Sequence, residues 1–135
     1  MALMNWDASF SVNVKEIDIQ HQRLVEMLNQ LHELMKVGQG KTAIAPILDE
    51  LITYAGTHFS TEEKYFDQFR FSEAVRHKAE HKQFVQKVLA FQNDFKTGRT
   101  VLTMDVMNFL RDWLVNHIKG TDKRYSQCFN EHGLY

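Results

Sequence analysis

Cysteine and proline are the scarcest residues that still occur in this 135-residue sequence, one of each. Cys128 can form no internal disulfide and has no sulfur partner for a thiolate metal site, which suits a reducing compartment; a cytoplasmic protein is expected. The one proline, Pro46, falls in or near the first turn of a periodic segment, where its missing N–H is tolerated. There is no Lys/Arg block, and the net charge is −1, so neither nucleic acid nor an anionic membrane is expected as a partner. No apolar stretch approaches the ~18–20 residues of a membrane span. The opening "MALMNWDASF" lacks the basic-then-apolar order of a secretory signal.

What is present is an ordinary globular composition, 44% apolar and 24% charged, enough for one domain over residues 1–135 with its own core. Four segments carry 3.6-residue periodicity between short breakers. The first runs from about Asp18, a plausible N-cap, through Leu24, Leu28 and Leu31 to Gly38 and Gly40. The second extends from near Thr42 to about Phe69, the third from Ser72 to Gly98, and the fourth from near Thr103 to Gly120. Residues 1–17 read as an arm lying on the helices, and "TDKRYSQCFN" as a short C-terminal extension. Short connections between long amphipathic helices favour antiparallel neighbours. The expected fold is therefore all-α, an antiparallel up-down-up-down four-helix bundle.

The inward stripe of the second segment is Ile44, Ile47, Leu48, Leu51, Ile52 and Ala55, and its next members are His58, Phe59 and Glu62. An apolar face thus runs into an imidazole and a carboxylate. His21 lies in the first turn of the first helix, His77 and His81 in the first turns of the third, and His117 with Asp122 at the end of the fourth. In an up-down-up-down bundle these positions share one end of the molecule. Pairs at i, i+4 present two donors to a common centre, as His58/Glu62 and His77/His81 do. His117 and Asp122 are i, i+5 and diverge by ~140° on a regular helix; Gly120 offers the backbone change that could swing Asp122 inward. His32 is ~16 Å along the axis from His21 and is expected to lie outside the group, as is His132 in the tail.

Single buried histidines are usually satisfied by a backbone carbonyl, but five imidazoles and two carboxylates on apolar stripes are costly to bury without a cation. Zinc is oversupplied by seven groups, and magnesium or calcium prefers oxygen, whereas six-coordinate iron or manganese suits the mixture. Two octahedral ions offer twelve positions. Five nitrogens, two bridging carboxylates and a single-atom bridge fill eleven, which leaves one for a small ligand.

The pieces "EIDIQHQRLVEMLNQL", "HFSTEE", "HKAEH" and "WLVNHIKGTD", taken in order, resemble the hemerythrin family along the whole chain. The resemblance implies two iron ions (Fe2+/Fe3+) with an oxo or hydroxo bridge, binding dioxygen reversibly. One iron would take His77, His81 and His117; the other would take His21 and His58 and keep the vacancy; Glu62 and Asp122 would bridge. Phe59, Trp113, Leu114 and Ile118 are expected to wall the oxygen pocket. No side chain is expected to act as acid or base, since no ionisable group remains unassigned beside these ligands.

The expected role is oxygen storage, delivery or scavenging by a monomer, with an oxygen-consuming enzyme as recipient. Two other readings compete. A di-iron enzyme with peroxidase or nitric-oxide-handling activity is disfavoured because the i, i+3 Glu-x-x-His pairs of di-iron oxidases are missing. A sensor module would need a noncovalent partner, because 135 residues leave no room for a fused signalling domain.

Overall fold

The computed structural model describes residues 3–135. Its helices are α1 (Lys15–Lys36), α2 (Lys41–Phe69), α3 (Ala74–Lys96), α4 (Met104–Asn116) and a short α5 (Ser126–Glu131), and no strand occurs among the described residues. A π-turn (His117–Thr121) and a 3-10 turn (Asp122–Tyr125) join α4 to α5. The four long helices form an antiparallel bundle in which α1 packs on α2, α2 on α3, and α4 on α1. Phe84 of α3 stacks on Trp113 of α4 with ring centroids 3.9 Å apart. No helix among the described residues is long and apolar enough to cross a membrane.

Two helix starts differ from the expectation. α1 begins at Lys15, so Asp18 lies in its first turn rather than capping it. Its carboxylate instead accepts from the Val12 N–H at 2.9 Å and the Ser11 hydroxyl at 2.5 Å, which pins the arm to the helix. α3 begins at Ala74, two residues beyond Ser72, with no side-chain cap. Arg70 closes α2 in the left-handed region (φ 51°), the position glycine usually takes. α4 starts beside Thr103 as expected, and the Thr103 hydroxyl caps it by accepting from the Val106 N–H.

The arm is held at a second point, where the Asn29 amide exchanges two hydrogen bonds with the Met4 backbone at 2.8 and 2.9 Å. Phe10 turns into the core, while Val12 and Val14 are fully buried. The apolar interior falls into two clusters. The larger fills the bundle through Leu24, Leu28, Leu48, Phe59 and Met107; the smaller, at one end, comprises Val12, Val14, Ile17, Phe66, Phe71, Tyr125 and Phe129. Burying a side chain of this size contributes roughly 1.5–3 kcal/mol. Along α2 the order Phe59, Glu62, Phe66 passes from the first cluster through a carboxylate into the second. Polar groups at that level are therefore enclosed from both sides.

Candidate metal centre

Seven polar side chains meet between the two apolar clusters: His21, His58, Glu62, His77, His81, His117 and Asp122, none more than 3% exposed. On α2 one helical turn brings His58 Nε2 within 3.3 Å of Glu62 Oε1, and His81 Nε2 of α3 lies 3.2 Å from that oxygen. Asp122 Oδ1 is 2.9 Å from Nε2 of both His77 and His117, while its Oδ2 is 3.1 Å from Nε2 of His21. The atoms form two overlapping groups. One contains Glu62, His77, His81, His117 and Asp122, the other His21, His58, Glu62 and Asp122, with the contributing atoms of each group within 4.8 Å of one another.

Asp122 reaches the group by a route the sequence did not suggest. Gly120 has no left-handed backbone. Instead the last turn of α4 widens, and the Asp122 N–H bonds to the His117 carbonyl, five residues back. That i→i+5 bond stacks residue 122 over residue 117, removing the divergence of a regular helix; such π-turns are frequent at functional sites.

The donor set fits a cation. His58 Nδ1 lies 2.6 Å from the Gln20 side-chain oxygen and His81 Nδ1 lies 2.9 Å from Glu63 Oε2. Both partners can only accept, so each Nδ1 carries the proton and each Nε2 turns a lone pair toward Glu62. The Nε2 atoms of His77 and His81 each lie 3.1 Å from that of His117. At His58 and His81, then, an acceptor nitrogen faces the acceptor oxygen of Glu62. Both nitrogens of His21, Glu62 Oε1 and both oxygens of Asp122 lack hydrogen-bond partners. A cation among them satisfies these atoms together, whereas protons do so only by charging several buried imidazoles.

The electrostatics agree. Burial and the Asp122 charge push the Glu62 carboxyl up, but the imidazoles of His58 and His81 outweigh them and hold it far below its usual range. Asp122 is likewise held well down against burial by His117, His21 and His77. Burial pulls His117 down, yet the charges of Asp122, Glu62 and Glu80 carry it above its ordinary value. Both carboxylates are anionic ligands in waiting.

Sequence reasoning left no ionisable group beside these seven, and the structure corrects that. The buried Tyr125 hydroxyl donates to Glu62 Oε2 at 2.5 Å. Burial, then Asp122 and Glu62, push the phenol well above its usual value, so it remains a protonated donor. Glu63 supports His81, Gln20 supports His58, and Glu80 Oε1 lies 3.4 Å from His117 Nδ1. Their sequence signals were adjacency alone: Gln20 beside His21, Glu63 beside Glu62, Glu80 beside His81.

The four residues expected to wall a pocket lie in two settings. Phe59 stacks on His81 at 3.9 Å, and Trp113 stacks on His117 at 4.3 Å. Leu114 is half-buried and, with Phe59, Trp113, Leu24 and Leu110, lines an apolar cavity of about 40 Å3. Ile118 is fully buried in the main cluster but does not line that cavity. His32 is buried elsewhere on α1, outside both groups. His132 ends α5, where its Nδ1 bonds the Cys128 carbonyl at 2.7 Å and its ring stacks on Phe69.

The fold and this cluster define a four-helix bundle with a buried cation site of mixed imidazole and carboxylate donors. Residues 12–128 match the family described as the hemerythrin HHE cation binding domain, and the chain belongs to the hemerythrin family. It is 38% identical over 131 residues to a bacteriohemerythrin of Methylococcus capsulatus, covering 96% of this chain and 99% of that protein. It is 36% identical over 121 residues to a hemerythrin-like protein of Naegleria gruberi, covering 90% and 89%. The crystal structure of a wild-type hemerythrin superposes with a TM-score of 0.90 at 38% identity, covering 94% of this chain and 98% of that one.

Proposed function

We propose that this chain binds dioxygen reversibly at a di-iron centre, as a binding protein rather than an enzyme. One iron would be held by His77, His81 and His117, the other by His21 and His58, with Glu62 and Asp122 shared between them. The observation that carries the reading is the overlap of the two donor groups: they differ in their histidines, three against two, and share both carboxylates. With one protein ligand fewer, the two-histidine side is where a small ligand such as dioxygen would be taken up. Two irons so held, joined by an oxo or hydroxo bridge, supply the reversible two-electron chemistry that dioxygen requires.

The chain's own residues do the rest. Gln20 and Glu63 fix the protonated nitrogens of His58 and His81, so each Nε2 stays directed inward. Tyr125 holds Glu62 Oε2 with a hydroxyl that does not ionise near neutral pH. The apolar cavity lined by Leu114, Trp113 and Phe59 excludes water, because small apolar cavities stay dry. In this reading the chain is a single hemerythrin-like domain acting as a cytoplasmic monomer. It stores or scavenges oxygen, or passes it to an oxygen-consuming enzyme.

Metal analysis with the optical spectrum of the reduced protein before and after air tests this. Two irons per chain, and a visible band that appears with oxygen and vanishes when oxygen is removed, are expected. Zinc in the protein, or irreversible bleaching with turnover of a substrate, would sink the reading.

A further inference from the structure

A polar pocket of about 200 Å3 lies between the start of α3 and the π-turn, and His77 of the cluster forms part of its wall. About 10–15 Å3 of such space holds one water, so the pocket accommodates a small cation with its hydration shell. Its charges are unevenly matched. Glu73 is bound to Arg124 at 2.6 Å and lies 3.9 Å from Arg76. Glu80 has no lysine or arginine partner among the described residues; it accepts from the Thr121 hydroxyl at 3.1 Å and lies 3.4 Å from His117 Nδ1. That nitrogen is buried and has no hydrogen-bond partner. Glu80 itself is 33% exposed, so one carboxylate spans from solvent to the outer edge of the centre.

We propose that this pocket is the route by which a divalent metal cation reaches and leaves the centre, with Glu80 as its first protein ligand. The proposal rests on the metal-centre reading above. Glu80 exchanges a carboxylate oxygen for one water of the hydrated ion, a ligand type that divalent cations accept readily. His77 in the pocket wall and His117 beside Glu80 then offer the next ligands, their Nε2 atoms 3.1 Å apart at the inner side. Arg76 and Arg124 both pair with Glu73, which leaves Glu80 as the pocket carboxylate without a guanidinium. The cavity lined by Leu114 cannot serve, because its lining is entirely apolar and a bare ion there would lose its hydration without compensation.

Gly120 provides a plug. It lines the pocket, a Cβ there meets nothing within 4 Å, and its backbone is not left-handed, so a larger side chain has room. The experiment follows iron loss from the fully loaded protein to an excess of a ferrous chelator under argon, in wild type, Gly120→Ala, Gly120→Leu and Glu80→Gln. The starting iron content, two per chain, tests the metal-centre reading separately from the rates. Gly120→Leu is expected to release iron several-fold more slowly, while Gly120→Ala, which leaves the pocket open, matches wild type. Glu80→Gln is also expected to slow release, whereas a carboxylate that merely orients His117 would speed it on removal. Should Gly120→Leu not fold, Glu80→Gln decides alone. Unchanged release from Gly120→Leu, or release from Glu80→Gln that is unchanged or faster, overturns the route.

Discussion

The Tyr125 hydroxyl donates to Glu62 Oε2 at 2.5 Å, joining the turn after α4 to the last turns of α2 across 63 residues of sequence. Both groups are fully buried, so neither can exchange this bond for one to water. A hydrogen bond to a charged partner contributes about 1.5–3 kcal/mol. Tyr125→Phe keeps the ring against Phe129 and Phe66 and removes only this donor. Iron content should stay near normal while urea denaturation of the loaded protein shows a loss in that range. Unchanged stability would mean that the bond contributes nothing to holding Glu62.

His77→Ala and His81→Ala should each lower iron content and oxygen binding, because in the proposed assignment both ligate the iron that has three histidines and no spare position. His32→Ala should change neither, since His32 lies outside both donor groups. Metal analysis of the three purified variants checks this. Iron lost from His32→Ala but retained by His81→Ala would overturn the assignment.

Leu114 lies on the wall of the apolar cavity beside Trp113 and Phe59. Leu114→Ala should leave iron loading near normal and speed autoxidation, and Leu114→Asn should speed it further by drawing water into a dry space. Because Leu114 is only half-buried, the alanine should cost no more than about 2 kcal/mol, the low end for leucine truncation. Stopped-flow oxygenation followed by slow decay of the oxygenated spectrum reads the effect. Equal decay in all three proteins would make Leu114 ordinary core, with Phe59 and Ile118 the next residues to test.

Removing the metal should loosen one end of the molecule first. The seven buried polar groups then lose their common partner, and a ligand that binds only the folded state stabilises it in proportion to its affinity. Hydrogen exchange of the stripped chain should show protection lost around residues 58–66 and 117–129, while residues 24–31 and 44–51 stay protected. Uniform loss of protection along the bundle would count against a locally stabilising site.

Much of the bundle was legible because its causes are local. A 3.6-residue apolar period, broken at Gly38, Gly40 and Gly98, marks helices wherever it occurs. The helix starts were less legible, since the cap-like side chains Asp18 and Ser72 cap neither α1 nor α3. Asp18 is taken by Val12 and Ser11 of the arm, a contact that exists only once the arm has docked.

That seven imidazoles and carboxylates share one end of the bundle is already legible in the order of residues. That follows from helical spacing within each segment and from antiparallel alternation between segments, neither of which needs a distance across the core. Tertiary structure decided how the seven face one another. Helical spacing says which face of a helix a residue occupies, but not the height or rotation of the neighbouring helix. Hence Tyr125 on Glu62, Glu63 on His81, Gln20 on His58 and Glu80 near His117 appeared only with the packing. Asp122 joins them by a π-turn, a change of backbone register invisible to a pattern that assumes 3.6 residues per turn.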